Sequence, residues 1–187
     1  MNLFKKIFFW QSNFDLLSFL QTFKSGNLLI IILNYSIWLF LAAVSFVLVS
    51  NNANVFWQLF TATLICEVIE RFLKSKKFWP RPIFQKHQHL PTGLVEKWYK
   101  TGSFPSGHTM KATFFLLFIL QYQVSSPTLF LAIIIPLLIF RVLAGFHYPI
   151  DILGGFFLGI AIWFSSHQIQ FPSFLVNFIR SIFSLFQ

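Results

Sequence analysis

The chain has 187 residues, 56% of them hydrophobic and only 10% charged, and its mean hydropathy is +0.70. That balance excludes an ordinary soluble globule, and 28 phenylalanines in apolar runs parted by short polar stretches indicate spanning helices rather than barrel strands. The net charge of +9 is local, because nine of the 14 Lys and Arg residues lie between Arg71 and Lys111. Such a cluster between apolar runs points to anionic lipid head groups and argues against nucleic acid as a partner. The expected fold is all-α: one domain over residues 1–187, a polytopic helical membrane bundle of five to six membrane helices with an amphipathic N-terminal interfacial helix.

Residues 1–26 are read as the interfacial element. Between Phe9 and Phe23, residues Gln11, Asp15, Ser18 and Thr22 recur at steps of four, three and four, which places one polar stripe on a single helix. Asp15 is costly at mid-bilayer without a partner, so this helix is expected to lie in the interface. Lys5 and Lys6 precede an apolar stretch, Ile7 to Trp10, that is too short for a cleaved signal, and none is expected.

Residues 28–73 hold two expected spans. Leu28 to Val49 is 22 residues without a formal charge, enough at about 1.5 Å per residue to cross a hydrocarbon core of about 30 Å. Asn51-Asn52-Ala53-Asn54 is a polar turn, and Val55 to Leu73 is the second span, with Glu67, Glu70 and Arg71 at its far end. Glu67 with Arg71, and Glu70 with Lys74, are spaced to pair along the helix; alternatively, one glutamate orients a catalytic cation. Cys66, the single cysteine, reads as a small buried hydrophobe.

Residues 74–104 break the apolar pattern with Lys, Arg, three prolines, two glycines and two histidines, and read as an extramembrane catalytic loop. Residues 105–166 hold three further spans: Thr109 to Gln121, Leu129 to Leu143 after the turn at Val124 to Pro127, and Ile150 to Ser165. The last carries Gly154-Gly155 and Gly159 at a spacing suited to close helix contact. Residues 171–187 repeat polar positions at helical steps and read as a second interfacial helix or a short sixth crossing.

The chemistry starts at Pro105-Ser106-Gly107-His108. Ser106 is an N-cap residue, and the free N–H groups of the first helical turn form a seat for an anion. From His108 to Arg141 there are 33 residues, about 50 Å of helix, one trip across and one back. Lys74, Arg81, Ser106, His108, Arg141, His147 and Asp151 can therefore share one membrane-surface pocket. Each type has a task in cleaving a phosphate ester. Arg81 and Arg141 offer bidentate forks to phosphate oxygens, Lys74 a point charge, and Ser106 and Gly107 neutral donors. Asp151 can hold His147 in the tautomer that leaves its other nitrogen free to attack phosphorus, while His108 serves as general acid and then as base for water.

These residues also carry a family resemblance. Lys74 followed by six residues and Arg81-Pro82, then Pro105-Ser106-Gly107-His108, then Arg141 followed by five residues, His147, three residues and Asp151, resemble in order the three signatures of the type 2 phosphatidic acid phosphatase superfamily. The Ser that often precedes the Arg is Phe140 here, which removes one hydrogen-bonding group. The resemblance implies a phosphohistidine at His147 assisted by Asp151, an acid at His108, and phosphate binding by Lys74, Arg81, Ser106, Gly107 and Arg141, with no metal or other cofactor. It further implies a bacterial membrane lipid phosphatase acting on lipid A 1-phosphate, phosphatidylglycerol phosphate or undecaprenyl diphosphate. A phosphotransferase using the same site, and a non-catalytic lipid-binding or transport protein, are the alternatives. The Lys-rich 74–104 loop would be cytoplasmic by the positive-inside rule, whereas the resemblance places the site on the periplasmic face of the inner membrane. Because those cations have a phosphate-binding reason to be there, the outer face is the expectation.

Other residues draw plainer readings. His87 and His89 have no obvious third metal ligand and read as loop histidines. Trp79, Trp98, Tyr99 and Tyr148 read as an interfacial aromatic belt, or as the lining of an acyl entrance.

Overall fold

A computed structural model describes residues 3–85 and 101–183, with side chains from Lys6 onward, and among them every regular element is helical. Eight α-helices follow one another: α1 (Leu3–Phe8), α2 (Leu16–Gln21), α3 (Gly26–Asn51), α4 (Asn54–Ser75), α5 (Gly107–Tyr122), α6 (Pro127–Leu143), α7 (Pro149–His167) and α8 (Ser173–Phe183). A short 3-10 turn, Pro82–Gln85, lies between α4 and α5.

Each of the five long apolar runs becomes one helix, slightly longer than the run itself, and at α5 and α6 a flanking serine serves as the cap. Ser106 and Ser126 accept hydrogen bonds from the backbone N–H groups of Thr109 and Leu129, and Pro127 opens α6 where its missing N–H costs nothing. Among the described residues only α3 and α7 are long and apolar enough, taken alone, to cross a membrane, and most of each apolar window is not buried inside the bundle. α4 has the length but ends in charge, and α5 and α6 have 16 and 17 residues.

The N-terminal segment departs from the single amphipathic helix that its polar stripe suggests. It forms two short helices with a break between them. Ser12 Oγ accepts from the Phe14 N–H, and Asp15 leaves the stripe to cap α2, taking the Ser18 N–H at 3.2 Å and the Ser18 hydroxyl at 2.9 Å. Asp and Ser side chains compete with helical backbone bonds in this way, so the break falls where polar residues cluster.

α5 is the central helix, packed by α3, α4, α6 and α7. Phe114, Phe118, Met110 and Ile119 on α5 join Ile37, Leu48, Val55, Ala62, Cys66, Phe130 and Ile162 in the main core. A second cluster of Leu17, Leu20, Ile30, Ile83, Phe140 and Phe146 ties α2 and the 3-10 turn to the end of α6. α8 lies against the other end of α4, where the Trp57 indole donates to the Leu175 carbonyl at 3.1 Å. Outward-facing side chains are largely apolar, among them Ile32, Leu39 and Phe46 on α3, Leu64 and Val68 on α4, Ile139 on α6 and Phe157 on α7.

α5 and α7 meet closely because α7 carries glycine where they cross. A Cβ on Gly155 would stand 2.7 Å from the Ser106 carbonyl oxygen, and one on Gly159 2.6 Å from Thr113 Cβ. Gly159→Leu is therefore expected to force the two helices apart, costing about 1–3 kcal/mol. Thermal unfolding of the purified chain in detergent checks this, and Tm should drop by several degrees, about 2–8 °C.

Candidate active site

Lys74, Arg81, Gly107, His108, Arg141 and His147 line one cavity of about 240 Å³ near the C-terminal ends of α4 and α6 and the N-terminus of α5. Asn34, Tyr35 and Trp38 of α3, Glu67 and Glu70 of α4, and Lys111 of α5 complete its wall.

The turn between α6 and α7 explains the spacing of Arg141, His147 and Asp151. α6 ends in a Schellman motif: Gly145 adopts φ +74°, its N–H donates to the Val142 carbonyl at 3.0 Å, and the Phe146 N–H donates to the Arg141 carbonyl at 2.9 Å. The left-handed residue reverses the chain, so His147 returns beside Arg141, whose carbonyl its N–H meets at 3.3 Å. His147 therefore precedes α7 instead of sharing a helical turn with Asp151. Tyr148 is the extended N-cap and Pro149 the first residue of α7.

Asp151 is fully buried and bonded at both oxygens. Oδ2 accepts the Tyr148 N–H at 2.8 Å, which caps α7, and Oδ1 accepts the Trp79 indole N–H at 2.9 Å. His147 Nδ1 stands 3.4 Å from Asp151 Oδ2, longer than a good hydrogen bond, and makes no closer one among the described residues. The ring thus presents its Nε2 edge to the cavity it lines. Burial pushes the His147 imidazole down to about 4; Asp151 opposes the shift, and the nearby Arg81 and Lys74 charges add to it.

Arg141 is 2% exposed and held by α3. Its Nη2 donates to the carbonyl and the side-chain oxygen of Asn34, at 3.1 and 3.0 Å, and meets His108 Nε2 at 2.7 Å. A guanidinium only donates, so His108 accepts at Nε2 and carries its proton on Nδ1. Arg81 donates to the Phe146 carbonyl at 3.0 Å, bracing the chain next to His147. Burial lowers the Arg81 guanidinium to about 10, with Asp151 and Glu70 opposing, which leaves it cationic at neutral pH.

Ser106 is brought to the site without lining the cavity. Its hydroxyl is buried as the α5 cap, accepting from the Thr109 N–H at 3.4 Å and the Thr109 hydroxyl at 2.9 Å, and its own N–H donates to the Asp151 carbonyl at 3.0 Å. Gly107 does line the cavity, and its missing Cβ leaves room for the Glu70 carboxylate, which a side chain there would strike.

The α4 glutamates pair along the helix as their spacing suggests, and they also reach a cation on α5. Glu67 lies 3.8 Å from Arg71, and Glu70 pairs with Lys74 as helical neighbours. Glu70 also reaches across to Lys111 at 3.1 Å, and Glu67 meets Lys111 at 2.9 Å, so the glutamates hold cations inside the cavity.

Sequence reasoning missed Asn34, Trp38 and Lys111 as cavity residues, and read Trp79 as a belt residue although it holds Asp151. Lys111 carried a signal, being a charge three residues into an apolar helix; Asn34 was a polar residue inside an apparently uniform span. Tyr148 is buried, 3% exposed, and Gln85 donates to its hydroxyl at 3.0 Å. His87, His89, Trp98 and Tyr99 lie outside the described residues.

A family model described as the PAP2 superfamily matches residues 55–174, a stretch that contains every signature residue from Lys74 to Asp151. No curated protein and no solved structure matches the chain.

Two outcomes follow from the histidine and its support. The unfolded imidazole binds a proton near 6.5 and the folded one near 4, so between these values the unfolded state binds more protons. The contribution of neutral His147 is whole above about pH 6.5 and is lost toward pH 4, about 3 kcal/mol in total. Unfolding measured across that window should show a shallower acid loss in His147→Asn. Trp79→Phe removes one donor to Asp151, and kinetic assay should show kcat reduced about tenfold with KM little changed.

Proposed function

The chain belongs to the PAP2 superfamily, a family of phosphatase type, and from that premise we propose that it hydrolyses a lipid phosphomonoester or diphosphate at the surface of a membrane. The observation that carries the reading is the single cavity lined by Lys74, Arg81, Arg141, His108 and His147. Three cations at one level offset the charge of a phosphate, and two imidazoles supply a nucleophile and an acid.

In this reading the phosphate oxygens are held by Lys74, Arg81 and Arg141, with the first-turn N–H groups of α5 at Gly107 and His108 as neutral donors. Ser106 contributes by capping that turn. His147 Nε2 attacks phosphorus while Asp151 supports the charge that develops on the ring. The bond from phosphorus to the lipid oxygen breaks, and His108 passes a proton to that oxygen. Arg141, turning to the phosphate, frees His108 Nε2 to take up a proton from the entering monoanionic phosphate or from water, and that is the proton it passes on. Water then attacks the phosphohistidine, His108 takes its proton, and the P–N bond breaks to free inorganic phosphate and His147. The side chains present meet the charge of the phosphate without a metal ion.

The lipid setting is supported by the apolar exterior. We assign α3 to α7 as five crossings of a bacterial inner membrane, with α8 and the N-terminal segment at its interfaces and the site on the periplasmic face. Helices of 16 and 17 residues, about 24–26 Å long, reach across most of a core of about 30 Å, and charges at the helix ends remove the need to go further.

Acid-quenched labelling with a phosphate-labelled lipid tests the mechanism. The wild-type chain is expected to trap label, whereas His147→Ala should trap none and lose at least about 10³-fold in phosphate release. Label retained in His147→Ala would remove His147 from the nucleophile's role.

A further inference from the structure

The cavity extends one helical turn past the level of the catalytic side chains. Trp38 is four residues beyond Asn34, Glu67 three before Glu70, and Lys111 three after His108, so each lies about 5 Å further along its helix toward the middle of the bundle. The three touch. Lys111 Nζ is 2.9 Å from Glu67 and 5.1 Å from the centroid of the Trp38 ring, and the Trp38 and His108 rings are 5.2 Å apart.

That last contact gives the inner layer a place in the reaction. Resting on the phosphatase reading above, His108 delivers a proton to the leaving oxygen, so the leaving group lies on the His108 side of the phosphate. The wall it meets there is Trp38 and the turn beneath.

What this wall offers is chemically specific. Lys111 is 4% exposed at its side chain, and its ammonium is engaged by Glu67, Glu70 and the indole face. Glu67 is 39% exposed and Trp38 41%, so a leaving group meets a carboxylate and an aromatic ring before it meets the cation. A carboxylate only accepts hydrogen bonds, and its two oxygens carry about four acceptor sites, more than Lys111 and Arg71 use. It welcomes hydroxyl donors and repels a second phosphate joined directly to the first, whereas a phosphodiester set a glycerol's length away lies beyond it.

We infer that Trp38 and Glu67 form a leaving-group subsite selecting phosphomonoesters of a hydroxyl-bearing head group, a glycerol or a sugar, over lipid diphosphates. In the diphosphate the group left behind is itself a phosphate, and it would have to rest against Glu67 and Glu70. In phosphatidic acid the diacylglycerol offers no free hydroxyl, and the Glu67 acceptor goes unused.

The test is phosphate release by the full chain in detergent micelles, from phosphatidylglycerol phosphate, phosphatidic acid and farnesyl diphosphate, with kcat/KM compared within one preparation. The expected order places phosphatidylglycerol phosphate first, by roughly tenfold over each of the others, the worth of one hydrogen bond to a charged group. Glu67→Gln and Trp38→Leu should each bring the ratio of phosphatidylglycerol phosphate to phosphatidic acid toward one. A ratio within one preparation does not depend on the fraction folded, so a variant that folds poorly still reports. Preference for the diphosphate in the wild-type chain, or variants that lower all three rates alike, would overturn the subsite. Release from none of the three would instead overturn the phosphatase reading on which it rests.

Discussion

The buried carboxylate of Asp151 is the tie on which the site depends. One oxygen takes the Tyr148 N–H and starts α7, the other takes the Trp79 indole N–H and holds the segment after α4, and the residue's own carbonyl receives the N–H of Ser106 at the start of α5. Three chain segments far apart in sequence are thereby fixed at one level. A carboxylate removed from water needs such partners, since an unpaired one costs several kcal/mol. Its remaining capacity faces His147 at 3.4 Å, so the group that organises the turn also sets the imidazole's orientation.

The second organising element is charge held inside an apolar bundle. Lys74 and Lys111 share Glu70, and Lys111 also holds Glu67, so two cations are balanced by two carboxylates across α4 and α5. Among the described residues Arg141 has no such counter-ion in salt-bridge reach and relies on two oxygens of Asn34 and on His108 Nε2. Arg141 is thus the cation that stands beside His108 without a carboxylate in salt-bridge reach among the described residues. In the proposed reading an entering phosphate meets Arg81, Arg141 and Lys74 at this level, with Lys111 one helical turn deeper.

The apolar exterior and the polar pocket at one end of the bundle follow from a single constraint. Helices satisfy their own backbone groups, so they tolerate a surface of Leu, Ile and Phe facing hydrocarbon, while polar side chains gather where several helices meet at one end. α5, lodged among four neighbours, can carry Lys111 because Glu67 and Glu70 reach it from α4. Gly155 and Gly159 of α7 allow the approach that aligns the α5 cap with the α7 cap.

The sequence by itself determined the helices and their order. Apolar runs of helical length bounded by Ser, Pro, Asn and Gly leave few other solutions, and the three spaced motifs named the residues of the cavity by counting crossings. Those signals are local, or follow from chain length and the rise of a helix. Only the tertiary structure decided which residues line the cavity and which support it. Ser106, expected as a cap, stayed out of the cavity wall, Trp79 became a support for Asp151, and Asn34, Trp38 and Lys111 joined the wall. None of these roles is periodic or adjacent in the chain. Each depends on which face of one helix meets which face of another, and packing and burial settle that after the helices have formed.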